Sequence, residues 1–191
     1  MDSQVKEKLV PSTGHQSKFD GMGIFGESGV IGFDGVYKAQ LIRKGKVIDE
    51  FECENMVVDQ GLNYVLNAAF GLTAPLASWY VGLFEGNFTP TSGTTASTVA
   101  GLSTECTAYT SGTRPAWTTP SATAKQLTNG SSRASFTFNA TKTIYGAFLV
   151  SSSSKSGTSG TLFSVARFTT AKTVDSGDEL LVTYVLTAAD A

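Results

Sequence analysis

Apolar and polar residues alternate with a period of two along most of the chain beyond residue 35, the mark of half-buried strands. Tyr37, Ala39 and Leu41 share one face of a first run. After the turn Arg43-Lys44-Gly45-Lys46, a second run puts Val47, Phe51 and Cys53 on a common face, with Asp49 the exception and Glu50, Glu52 and Glu54 opposite. Two alternating runs around a Gly-bearing turn predict a hairpin. The period then changes. Leu62, Val65, Leu66 and Ala69 recur at helical spacing, so residues 58–70 are expected as a helix, capped by Asn55 or Asp59 and stopped by Gly71.

Further strands are predicted at 79–84, 104–109, 134–138, 143–150 and 162–168, with a last one at 179–187 that places Leu180, Val182, Tyr184 and Leu186 together. Residues 87–100 read as a long Thr/Ser/Gly loop. Residues 151–160 read as an exposed Ser/Gly tip. Arg114-Pro115-Ala116-Trp117 is expected to be extended, because proline cannot donate to a central ladder. Short strands divided by turns predict an all-β fold, mainly antiparallel, built as a sandwich or jelly-roll-like barrel with one short helix.

Residues 1–34 follow another pattern. Glycines at 21, 23, 26, 29 and 32 alternate with Met22, Ile24, Phe25, Val30, Ile31 and Phe33. A disordered linker seldom carries so many large apolar groups, and a compact core seldom carries so many glycines. The expectation is an extended Gly-rich N-terminal arm (1–34) that docks on a neighbour through Met22, Ile24, Phe25, Ile31 and Phe33, followed by a single β domain (35–191).

Composition narrows the function. The formal net charge is −2 and charged residues make up 16% of the chain. Nucleic-acid binding needs clustered Lys and Arg to displace counterions, and Arg43, Lys44 and Lys46 read as a hairpin tip, so no nucleic-acid partner is expected. No apolar run approaches the ~20 residues of a membrane helix, and residues 1–8 are not followed by the apolar stretch of a secretion signal. Cys53 and Cys106 lack the spacing of a metal or redox pair and are expected as free thiols.

No arrangement points to catalysis, a cofactor or a metal. His15 stands alone, so neither a His-based metal site nor a triad can be assembled around it. Gly21-Met22-Gly23-Ile24-Phe25-Gly26 spells a dinucleotide fingerprint but lacks the strand before it and the helix after it. Asp175 and Asp178 flank Ser176-Gly177 in a turn rather than in a calcium loop. The chain is therefore expected not to be an enzyme. Arg114 beside Trp117 suits an interface hot spot.

The run Glu54-Asn55-Met56-Val57-Val58-Asp59-Gln60-Gly61-Leu62 resembles a recurring strand-to-helix block of small virion structural proteins of tailed bacteriophages. Trp79 to Phe84, Thr107-Ala108-Tyr109 with Arg114 to Trp117, Thr143 to Val150 and the closing Val174 to Leu186 are similar to their later blocks, in the same order. This resemblance, over residues 36–187, implies a virion component assembled in the host cytoplasm. The leading expectation is a capsid decoration subunit, a homotrimer bound to the major capsid protein through its arm. The alternative is a tail or baseplate subunit that binds a host receptor or glycan.

Overall fold

The computed structural model describes residues 31–190. Two antiparallel sheets pack face to face, which confirms the all-β sandwich. Sheet A is built from β1 (Ile31–Arg43), β2 (Lys46–Glu54), β9 (Glu179–Asp190), β5 (Gln126–Thr128) and β6 (Ala134–Thr137). Its order is β2-β1-β9-β5, with β6 pairing further along β9. Sheet B contains β3 (Met56–Val57), β8 (Leu162–Val174), β7 (Lys142–Val150) and β4 (Tyr80–Phe84), in the order β3-β8-β7-β4. The long β9 lies between β1 and the β5/β6 edge, so first and last strands of the domain zip together. Ile31 to Asp34, expected as the end of the arm, are part of β1 and pair with residues 187–190.

The alternation read from the sequence is what fills the space between the sheets. Tyr37, Ala39 and Leu41 face inward from β1, and Leu180, Val182 and Tyr184 from β9. They meet Val81 and Leu83 of β4, Ile144, Ala147 and Leu149 of β7, and Phe163, Ala166 and Phe168 of β8. Tyr37 and Tyr184 stack at 4.4 Å, and the Tyr37 hydroxyl shares a hydrogen bond of 2.9 Å with Ser164 of the opposite sheet. That bond satisfies a polar atom whose burial would otherwise cost free energy. On the open side, Cys53 donates to the Arg167 carbonyl and Lys172 meets Asp49 at 2.8 Å, tying β2 to β8.

The hairpin departs from the expected face at its tip. The register shifts between Leu41 and Ile42, so Ile48 is an extra residue and Val47 leaves the inward face, half exposed. A bulge of one residue reverses the side-chain phase beyond it; Asp49, opposite Leu41, is still in phase with Phe51 and reaches Lys172 of β8. Arg43 at this tip grips the turn before β9, donating to both carboxylate oxygens of Asp178 at 2.8 and 2.7 Å. The hydrogen bond from Arg43 is the main reason the Asp178 carboxyl titrates below its ordinary 3.8. A carboxylate with a depressed folded pKa adds stability above its ordinary value and loses it as pH falls through the folded one. Urea midpoints are therefore expected to fall as pH drops below 3.8, and Asp178→Asn should flatten part of that fall. An identical acid profile in the variant would remove Asp178 from the account.

The helix α1 (Asp59–Ala69) forms where its spacing predicted and ends before Gly71, which has φ +71°. Its N-cap is Val58, with no side-chain cap; Asn55 instead donates to the Tyr184 hydroxyl. The expected cap by Asn55 or Asp59 is thus corrected: Asn55 stands before β3 and is spent on Tyr184, and Asp59 is already the first residue of the helix. Val65 of α1 and Trp79 pack against the core at one end of the sandwich.

A second short helix, α2 (Ala96–Leu102), lies in the stretch expected as a loop. Thr95 and Thr98 form a reciprocal capping box, and Ala96 and Val99 cover the outer face of sheet B. There Gly82 stands opposite Phe148, and Phe84 opposite Gly146, across the β4–β7 pair. Each phenylalanine ring occupies the space above its partner glycine, so a methyl group at Gly146 would strike the Phe84 ring and the Ala166 carbonyl. Gly146→Ala is expected to cost about 1–3 kcal/mol through this overpacking. Thermal denaturation reads it as a Tm lower by several degrees, and an unchanged Tm would show that the aromatic roof yields freely.

Candidate functional site

Between Gly86 and Ala124 the sequence holds two charged residues, Glu105 and Arg114. The structure joins them. After β4 the chain returns along that strand's free edge, with Cys106 donating to Leu83, Val81 to Pro115 and Trp117 to Trp79. The segment thereby protects an edge that would otherwise offer unpaired donors and acceptors. It also brings Glu105 and Arg114 together over the Phe148 ring. The guanidinium donates to both Glu105 oxygens, at 2.8 and 2.7 Å, and both side chains are 1% exposed.

The remaining guanidinium hydrogens hold a loop. Arg114 donates to the carbonyls of Ser152 and Gly157, and its backbone amide donates to Ser153. Glu105 accepts from the Ser156 amide, and Lys155 donates to the Thr107 and Tyr109 carbonyls while lying 3.7 Å above the Tyr109 ring. Gln60 closes the far side by accepting from the Leu162 and Ala96 amides. Residues 151–160 are therefore not a free tip. Their backbone is clamped, while Ser154, Ser156, Thr158 and Ser159 remain exposed beside Thr110, Ser111 and Thr113. The result is a hydroxyl-rich platform on a rigid base, with Lys155 as its one cation, a surface able to exchange hydrogen bonds with polyhydroxylated ligands.

A shallow groove of about 460 Å³ crosses the outer face of sheet A, lined by Lys38, Gln40, Glu50, Glu52, Arg133 and Thr183. Lys38 meets Glu52 at 3.3 Å, Gln40 donates to Glu50 at 2.5 Å, and Arg133 donates to Gln40. This is the wet face expected from the glutamate row, with Lys38 and Glu52 paired across strands and Gln40 bridging Arg133 to Glu50.

The predicted interface residues separate. Arg114 is buried and committed to Glu105 and the loop carbonyls, so it cannot serve as an exposed hot spot. Trp117 is half-buried, donates to the Tyr184 carbonyl and packs on the Tyr184 ring. Of the arm residues, Ile31 is 70% exposed and Phe33 half-buried in β1, while Met22, Ile24 and Phe25 lie outside the described residues, as do His15 and the glycine motif at 21–26. The partner of Arg114 was missed, although Glu105 and Arg114 stand out as isolated opposite charges in a neutral stretch.

Both cysteines are free, and burial pushes the Cys106 thiol up to about 12 and raises Cys53 as well. Neither is a ready nucleophile at neutral pH. Among the described residues, no group of three or more His, Cys, Asp or Glu side chains could hold a metal ion, and no helix is long and apolar enough to cross a membrane.

The family described as podophage GP4 fiber I protein gp80 matches residues 55–185, well over half the chain, and the chain belongs to it. It is accordingly a structural protein of the tailed-phage virion, and the match favours the fibre and tail reading over capsid decoration. A search of curated proteins returned no match.

Proposed function

We propose that this chain is a non-enzymatic subunit of the tail-side fibre apparatus that presents its hydroxyl-rich loops to the host surface. The observation that carries the reading is the fibre-family match over residues 55–185. The clamped platform at residues 110–113 and 151–160 supports the adhesive part. Its backbone is fixed before any ligand arrives, so binding orders little additional chain. Neutral Ser and Thr hydroxyls can both donate to and accept from sugar hydroxyls. The ligand class is a host-surface glycan, and no bond is made or broken. Purified full-length protein, incubated with host cells before infection, is expected to lower phage adsorption. Bulky charged substitutions at exposed Ser154 and Thr158 should abolish that competition without changing Tm. Undiminished adsorption at saturating protein would remove the host-contact role.

A further inference from the structure

Asn129 is the one asparagine of the chain that a glycine follows. An Asn-Gly pair is a chemical weak point. Glycine has no β-carbon to shield its amide, so the Gly130 nitrogen can attack the Asn129 side-chain carbonyl carbon. The bond that forms joins that nitrogen to Cγ, and the bond that breaks is Cγ–Nδ2. Nδ2 leaves as ammonia, taking the Gly130 amide proton with it. Water then opens the cyclic imide at either carbonyl and leaves aspartate or isoaspartate. Water is the only co-reactant.

The fold blocks each part of that step. Asn129 is 0% exposed, which keeps water away from it. Its Oδ1 accepts from the Tyr184 amide at 2.7 Å, and its Nδ2 donates to the Val182 and Ser132 carbonyls at 3.2 and 3.4 Å. Both ends of the side-chain amide are thereby tied to β9. The attacking nitrogen is engaged as well, since Gly130 donates its amide to Thr128 Oγ1 at 3.2 Å. The backbone does not call for this glycine. Gly130 is not among the residues with positive φ, and a β-carbon there would meet only Thr128 Oγ1 at 3.5 Å, an ordinary contact.

We propose that Asn129-Gly130 is a deamidation site held shut by sheet A, and that opening of the β5/β6 edge exposes it to a covalent, one-way change. The product does not fit back into the slot. The slot offers one donor, the Tyr184 amide, and one acceptor, the Val182 carbonyl. A carboxylate has no hydrogen for the acceptor, and isoaspartate adds a backbone carbon between β5 and β6 besides. An edge can open at a lower free-energy cost than the whole domain. The working lifetime of the subunit is then set by how often this edge opens.

Peptide mass spectrometry of the full-length chain, held at mildly alkaline pH with and without denaturing guanidinium chloride, tests this. In the denaturant, residue 129 is expected to convert to a mixture of aspartate and isoaspartate, while native chain incubated alongside keeps its asparagine. Below the unfolding midpoint, conversion should rise in step with hydrogen exchange of the Tyr184 amide, which loses the same contact. Converted chains returned to buffer should fail to regain the wild-type Tm. Gly130→Ala should slow conversion in denaturant severalfold and leave the native Tm in place. Native conversion as fast as conversion in denaturant would overturn the proposal. So would an unfolded chain that keeps its asparagine, converted chains that refold to the wild-type Tm, or a Gly130→Ala chain that converts at the wild-type rate.

Discussion

Arg114→Leu is expected to destabilise the fold by about 3–5 kcal/mol, the cost typical of removing one partner from a buried ion pair. The variant leaves the Glu105 carboxylate inside the protein, with the Ser156 amide as its remaining donor among the bonds described above. It also releases the Ser152 and Gly157 carbonyls. Against a total stability of roughly 5–15 kcal/mol for a natural domain, such a loss is a large fraction, and urea denaturation will show it as a much lower midpoint. Arg114→Lys should recover little, because an ammonium cannot match the bidentate fork and reach two carbonyls besides. Leucine at both Glu105 and Arg114 should recover a substantial part, since no buried charge is then left alone. Amide hydrogen exchange in residues 152–157 should accelerate in the single variant before global unfolding does. A single variant as stable as the wild type would show that the pair does not hold the platform.

Asn129→Ala is expected to cost about 2–3 kcal/mol, from the buried amide it orphans. The edge of sheet A is interrupted where β5 ends and β6 has yet to begin. Asn129, fully buried, fills that gap as if it were a strand residue. Its side-chain oxygen accepts from the Tyr184 amide at 2.7 Å, and its side-chain nitrogen donates to the Val182 carbonyl at 3.2 Å. Alanine leaves the Tyr184 amide without this partner beneath the Tyr37–Tyr184 stack. Asn129→Asp should be worse than alanine, because a carboxylate oxygen would then face the Val182 carbonyl. The chemical shift and exchange rate of the Tyr184 amide report the loss locally, and denaturation midpoints report it globally. Equal midpoints for wild type and both variants would contradict the stitch.

Strand positions inside the sandwich were legible because one buried face forces strict alternation. Tyr37, Ala39, Leu41, Leu180, Val182 and Tyr184 all lie where their period placed them. The hairpin tip was misread because a single bulged residue, Ile48, changes the phase without leaving a mark in the pattern. The helix α2 was hidden because a short, Thr- and Ser-rich segment has weak helical propensity and is held mainly by its capping box and by Ala96 and Val99. Arg114 was taken for a surface residue because arginine is rarely fully buried without a partner. Its partner lies nine residues away, and their meeting depends on a return path along β4 that no local pattern encodes. The virion assignment came through the ordered blocks, but head and tail share the same β vocabulary. Only the fibre-family match tipped the reading toward the tail.

The most direct test of that placement is to separate purified virions into heads and tails and quantify this chain in each by mass spectrometry. The fibre reading predicts recovery with the tail fraction and near absence from DNA-filled heads. Recovery with the heads at high copy would contradict it and restore the capsid-decoration alternative.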